Sequence, residues 1–395
     1  MNAPVARSAQ VLRDSLIARA RNLVPDLRAR SAETCANRRV PAASACALRD
    51  SGLTRVLQPA RFGGYAADYR LFTDIIQELA QGCASTSWIY GVFGEHQWVI
   101  ANFSEQAQAE VWADPTAVAC ASFVPQGHAV ALEGGWRVSG SWSFASGCDH
   151  AQWAIIGALV EKAPGQRVSR DFIIGMHELA IKDDWHVLGL QGTGSKSLVV
   201  DQVFVPDHRS LWHDDLKAAR TPGRHLHPEF ELLRAPRGLF ASFTLLASLV
   251  GLAQRTVEAF TQHTLRRVAR GVPIAEQESI QLKLAEAAAE ADTARLLVRH
   301  TLQDNAAAVH AGIAPDDERL TRTRRDVAYA AKLSIQAVDR LFMASGGHAL
   351  YDDNELQLLF RDAHAAASHL FLGWELGARP YGQYRLGQPV DSPLM

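Results

Sequence analysis

"WSFASGCDHAQW", residues 142–153, sets three aromatics beside serine, cysteine, aspartate and histidine within twelve positions. It is bounded by "GGWRVSG" (134–140) and "AIIGALV" (154–160). Segments this short, rich in Val, Ile, Trp and Phe and punctuated by Gly, read as strands joined by turns. The same writing extends outward through "AVACASFVP" (117–125), "QWAIIGALVE" (152–161), "RDFIIGMHEL" (170–179) and "SLVVDQVFVP" (197–206). A β domain over residues 116–212 follows from this pattern.

Both flanks change period. In "DYRLFTDIIQELAQG" (68–82), Leu71, Phe72, Ile75, Ile76 and Leu79 fall on one helical face, with Gly82 placed as a C-cap. A Pro/Gly loop, "LQPARFGGYAADY" (57–69), precedes it. After residue 212, "LLASLVGLAQRTVEAFTQHTLRRV" (245–268), "ESIQLKLAEAAAEADTARLLVRHTLQDNAAAVHAG" (278–312) and "RRDVAYAAKLSIQAVDRLFMASGG" (324–347) are long and rich in Ala and Leu. That composition suits an up-and-down bundle. The expected organisation is mainly α with a central β domain: an N-terminal helical domain (1–115), the β domain (116–212) and a C-terminal helical bundle (213–395).

The 395 residues suffice for a substantial core. Basic and acidic residues nearly balance, 40 against 42, which argues against nucleic acid or an anionic membrane as partner. The five cysteines are scattered without a CxxC pair and read as buried thiols in a reducing compartment. The N-terminus has no continuous apolar stretch of the secretory type. The longest apolar run, 239–253, is short for a bilayer and interrupted by polar residues, so it reads as a buried helix. The expected location is cytoplasmic. No phosphate loop, dinucleotide fingerprint, HExxH or GxSxG is present. "GLQGTGS" (189–195) is glycine-rich but precedes a strand. His364 and His369, five apart, would lie on different faces of a helix, and no metal is expected.

The order of helical domain, β domain and bundle resembles the acyl-CoA dehydrogenase superfamily over nearly the whole chain. "GLTRVLQPARFGGY" (52–65) is similar to that family's N-terminal loop, and "WRVSGSWSFASG" (136–147) to its flavin-facing segment. "GLQGTGSKSLVVDQVFVP" (189–206) resembles a following strand, and "RRVARGVPIAEQESIQLKLAE" (266–286) a helix pair. "SGGHALYDDNELQLLFRDAH" (345–364) resembles the "GG…RDA" region, with 15 positions from Gly346 to Arg361. The departures bear on chemistry. Where a dehydrogenase carries its Glu base, nine positions after Arg361, this chain has Leu370; where a Gln commonly serves FAD, it has Met343. The substrate loop is replaced by "ASFVPQGHA" (121–129).

These features are similar instead to the two-component flavin monooxygenases. The resemblance implies an oxygenase component that takes reduced FMN or FAD from a separate NAD(P)H-dependent flavin reductase. With O2 it would form a C4a-hydroperoxyflavin and hydroxylate a phenol or indole-type ring. It implies catalytic roles for His96 near the substrate, for Ser146 at flavin N5 and for His369 near the peroxide. Ser122, Ser146, Arg237 and Arg267 would bind the cofactor, Arg267 through its phosphates and across a subunit interface. Cys148, His150 and His364 read as structural. A homotetramer is expected from the same resemblance. The alternative readings are an FAD-dependent acyl-CoA dehydrogenase with a displaced base and a non-catalytic binding protein.

Overall fold

A computed structural model describes residues 3–269, 271–390 and 392. The N-terminal part contains α1 (Ala3–Ala29), α2 (Ser31–Ala36), α3 (Ala42–Asp50), α4 (Tyr69–Ala80), α5 (Ala84–Ile100) and α6 (Glu105–Val111). Asp68 caps α4 by accepting a hydrogen bond from the backbone N–H of Arg70, and the apolar face read from the sequence is buried. Gly82 differs from its expected role. The C-cap is Gln81, and Gly82 has no left-handed φ. A Cβ there would lie 2.9 Å from the Val24 carbonyl and from Leu27, so its smallness lets α1 approach.

Helix α5 is buried at every one of its 17 positions. Such a helix can only be packed from all sides if small residues open room for its neighbours. Gly91 and Gly94 do this: added Cβ atoms would meet Thr244 at 2.9 Å and the Phe72 ring at 2.3 Å.

The sheet comprises β1 (Ala119–Leu132), β2 (Gly135–Ala145), β3 (Trp153–Ala163), β4 (Gln166–Gly175), β5 (Ala180–Lys182), β6 (Lys196–Pro206) and β7 (Ser210–Trp212). Its order is β5-β6-β2-β1-β3-β4-β7. Among the described residues, only β1 and β3 pair in parallel. The β1–β3 register shifts between Ser122 and Gly127. Cys120, Trp142, Ile156, Phe172 and Leu198 form a core belonging to this sheet alone.

Helices α7 (His213–Lys217) and α8 (Gly223–Leu226) lead into α9 (Ser242–Leu265), α10 (Glu278–His310), α11 (Asp317–Ala344), α12 (Glu355–Ala367) and α13 (Trp374–Arg385). The stretch 237–265 is long and apolar enough to cross a membrane, yet 89% of its apolar window is buried inside the protein. Apolar residues of α4, α5, α9, α10 and α11 share one continuous core. Of the five free cysteines, Cys83, Cys120 and Cys148 are buried, but Cys35 is partly exposed and Cys46 exposed, which corrects the reading of all five as buried.

Gly94→Ala places a methyl against the Phe72 ring and is expected to destabilise the protein by about 1–3 kcal/mol, read as a lower urea midpoint. Gly382→Ala, on α13 with nothing within 4 Å of the new Cβ, should instead be neutral or stabilising by up to about 1 kcal/mol.

Candidate active site

Three side chains of α5 organise the centre of the molecule: Trp88, Glu95 and His96. The His96 Nδ1–H donates to the carbonyl of Ala119 on β1 at 2.6 Å. Its ring meets Phe123 edge-on at 5.7 Å between centroids. Arg237 lies 4.0 Å over the centroid of the same Phe123 ring and donates to Glu95 Oε1 at 2.8 Å. The two side chains of this ion pair are only 11% and 8% exposed. Burial holds His96 at about 4, opposed by the Glu95 charge.

Ser146 sits where β2 leaves the sheet. Phe144 and Gly147 take φ of +66° and +75°, turning the chain so that Phe144 stays 68% exposed while Ser146 is buried. The Trp88 indole N–H donates to Ser146 Oγ at 3.3 Å. Ser146 Oγ also lies 2.8 Å from Ser195 Oγ.

His369 is not on a helix. Helix α12 ends at Ala367, and His369 caps the short turn that follows, its Nδ1 accepting the Phe371 backbone N–H at 3.2 Å. Facing arguments based on a five-residue helical spacing therefore do not apply. His364 stays on α12 and pairs with Asp339 at 2.7 Å. The His369 ring lies 6.1 Å from Trp88 and 5.4 Å from Phe371. Burial holds it at about 4, with Glu95 opposing and Arg324 assisting.

Trp88 thus joins Ser146 to His369, and the charge of Glu95 reaches both His369 and His96. The two imidazoles are neutral and of opposite tautomer. His96 uses its Nδ1 proton on Ala119, leaving Nε2 as an acceptor. His369 accepts at Nδ1, so its proton is on Nε2, a donor.

Two predicted residues lie outside this cluster. Ser122 is 9% exposed on β1 and alternates to the face opposite Phe123. Arg267 follows the C-terminus of α9, roughly 35 Å along the axis from Ser242 at about 1.5 Å per residue. One of its guanidinium nitrogens is buried without a partner. The dehydrogenase positions carry no site chemistry: Leu370 and Met343 are exposed side chains. The carboxylate that is present, Glu95, is committed to Arg237.

Sequence reading did not single out Glu95, Thr193 or Ser195. Thr193 and Ser195 sit in the glycine-rich "GLQGTGS", whose glycines were the visible signal. Glu95 adjoins His96, but its partner is 142 residues away. Among the described residues, no group of His, Cys, Asp or Glu could hold a metal ion. Two surface clefts, one lined by Arg13, Asp74 and Glu78, the other by Leu296, Tyr329 and Trp374, share no residue with the cluster.

The donor set suits a flavin ring. Arg237 Nε is buried without an acceptor, matching the carbonyl edge of such a ring. Ser146 Oγ retains a free lone pair, and the exposed Phe144 offers an aromatic wall against Trp185.

Comparison with known proteins is consistent over the whole chain. The family described as acyl-CoA dehydrogenase, N-terminal domain, matches residues 9–118, and its C-terminal counterpart matches residues 243–374. The oxygenase component of FADH2-dependent resorcinol hydroxylase from Rhizobium sp. is 36% identical, over 93% of this chain and 96% of its own. The oxygenase component of p-hydroxyphenylacetate 3-hydroxylase from Acinetobacter baumannii is 33% identical, over 96% and 91%. The crystal structure of 3-HSA hydroxylase from Rhodococcus sp. RHA1 superposes with a TM-score of 0.92 at 34% identity, covering 96% and 99% of the two chains. XiaF from Streptomyces sp., in complex with FADH2 and glycerol, gives 0.91 at 26% identity, covering 99% and 100%. With a dehydrogenase fold whose base position holds leucine, and with such relatives along its full length, the chain belongs to the acyl-CoA dehydrogenase superfamily as an oxygenase component of the flavin-dependent monooxygenases.

Proposed function

We propose that this oxygenase component hydroxylates a small, electron-rich aromatic ring, a phenol or an indole, at the cluster of His96, Ser146 and His369. Reduced FMN or FAD, delivered by a separate NAD(P)H-dependent reductase, supplies the two electrons with which O2 yields one oxygen atom to the ring and one to water. The observation that carries this reading is the pair of buried neutral imidazoles of opposite hydrogen-bonding sense.

Each residue has a distinct task in this reading. The His96 Nε2 accepts the substrate's O–H or N–H and fixes which ring carbon faces the oxygen. Moving a phenolic proton from a pKa near 10 to an imidazole at about 4 is uphill by roughly 8 kcal/mol. His96 therefore orients the substrate by accepting a hydrogen bond and does not take its proton. The His369 Nε2–H is the donor offered to the oxygen in transit. Ser146 holds the N5 edge of the cofactor, and Arg237 Nε its carbonyl edge. Trp88, Phe123 and Phe371 close the site against water, which favours oxygen transfer over release of H2O2.

The subunits are proposed to form a homotetramer of a cytoplasmic enzyme. The buried guanidinium nitrogen of Arg267 without a partner, at the end of α9 opposite Ser242, supports a role in a neighbouring subunit's site. Exposed Leu282 and Leu296 on α10 support a helical interface. Light scattering should return four times the chain mass.

With chemically reduced flavin and oxygenated buffer, at least one of resorcinol, p-hydroxyphenylacetate and indole should gain an oxygen atom derived from 18O2. Release of H2O2 alone from a panel of phenols and indoles would overturn the reading. His96→Ala should leave flavin consumption intact while lowering product per flavin about tenfold to a hundredfold, and His369→Ala should divert a comparable share to H2O2.

The pH response follows from the two lowered imidazoles. Product per flavin should be level from pH 8 to about 5 and fall toward pH 4 as they protonate. Stability behaves similarly, because the unfolded chain binds these protons below its ordinary value of 6.5 while the folded chain resists them. Their contribution is complete above about 6.5 and is lost as pH drops toward 4. Urea midpoints measured across this range should decline less steeply in His96→Asn and His369→Asn.

A further inference from the structure

Ser146 ends a line of four oxygens. Its Oγ lies 2.8 Å from Ser195 Oγ, which lies 2.6 Å from Thr193 Oγ1, which lies 2.8 Å from the Leu190 carbonyl. The hydroxyls are buried. The backbone fixes them in place: the Thr193 carbonyl accepts the Gly147 N–H at 2.8 Å, and the Gly194 carbonyl accepts the Lys196 N–H at 2.7 Å.

The line contains three contacts and three hydroxyl protons. Its last member is a carbonyl, which can only accept, and it already accepts from Thr193 N–H and from the Trp185 indole N–H. Thr193 must therefore donate to Leu190. Having spent its proton, Thr193 accepts from Ser195, and Ser195 in turn accepts from Ser146. Any other arrangement leaves two buried oxygens in contact with no proton between them, and the chosen one is reinforced along the line by mutual polarisation. Trp88 donates to Ser146 from the other side. One lone pair of Ser146 Oγ remains, and its proton is committed away from the site.

We propose that Thr193 and Ser195 are positioning residues that fix Ser146 as a hydrogen-bond acceptor, so that the site selects reduced over oxidised flavin. The N5 of reduced flavin carries a proton and donates; the N5 of oxidised flavin carries only a lone pair. Reduced flavin completes the line, whereas oxidised flavin sets lone pair against lone pair. The site thereby takes up the form the reductase delivers and releases the form left after turnover. The inference rests on the reading that Ser146 meets N5.

Equilibrium binding of oxidised FMN and FAD in air, and of the reduced forms under anaerobic conditions, tests it without turnover. The wild-type protein should prefer reduced flavin by at least about tenfold, or about 1.4 kcal/mol. Ser195→Ala frees the Ser146 proton to turn toward N5 and should tighten oxidised flavin about tenfold with little change for reduced. Thr193→Val should narrow the preference in the same sense, and Thr193→Ser should restore it. Oxidised 5-deazaflavin, whose ring carries C–H at that position, should bind wild-type protein more tightly than oxidised flavin. This last measurement needs no variant to fold. A preference unchanged in Ser195→Ala and Thr193→Val but altered in Ser146→Ala would leave Ser146 at N5 and overturn the role of the chain. Unchanged affinities for both flavins in Ser146→Ala would overturn the placement of Ser146, and the proposal with it.

Discussion

A helix with no exposed face must satisfy its polar side chains from within, and α5 imposes that requirement on everything around it. Ser87 bonds Ser248 on α9 at 3.0 Å. Gln97 donates to the Ala117 carbonyl and accepts from the Trp112 indole. His96 reaches the first residue of β1, and Glu95 takes the guanidinium of Arg237. These bonds tie α5 to α9, to the segment after α6, to the turn before α9 and to β1, so polar residues that would penalise burial if unpaired become joints between α5 and its neighbours.

The same requirement produces the electrostatics of the site. The Glu95–Arg237 pair keeps net charge near zero in a dry interior, and removing one partner of such a pair typically costs about 3–5 kcal/mol. The two imidazoles remain uncharged although the Glu95 carboxylate is close enough to favour their protonation, with Arg237 opposing it at His96 and Arg324 at His369. Desolvation outweighs that attraction. Two neutral histidines then differ only in which nitrogen holds the proton, and a backbone carbonyl at one and a backbone N–H at the other decide this. The chemical asymmetry of the site is written in the main chain.

Much of this was legible beforehand. The change of period near residue 116 marks the passage from helices to strands, because strand alternation and helical spacing leave different apolar patterns in sequence. "WSFASG" and the two late motifs carry the family likeness, and through that likeness His96 in "GEHQW", Ser146 and His369 are expected as site residues. Less legible were features set by close approach. Gly82 looks like a cap in sequence but is a contact point for α1. His369 reads as helical until the helix ends two residues before it. Glu95 is an ordinary acid next to a histidine until residue 237 is folded over it. The hydroxyl line involves residues 146, 193 and 195, and the glycines of "GLQGTGS" mark a loop without announcing that it returns to the end of β2.

Helix α9 packs against α4 and α5, made before it, and against α10, α11 and α12, made after it. It thereby sets the order of events during synthesis. When α5 has been made, the partner that must cover it is still about 150 residues away. At roughly 5–20 residues per second, the interval is on the order of ten to thirty seconds. For that time a helix that the finished fold buries completely waits with one of its main neighbours unsynthesised, and the sheet between them is complete before either helical layer can close. The nascent chain therefore passes through a stage that is sticky by construction, and its yield in a heterologous host depends on how well that interval is chaperoned.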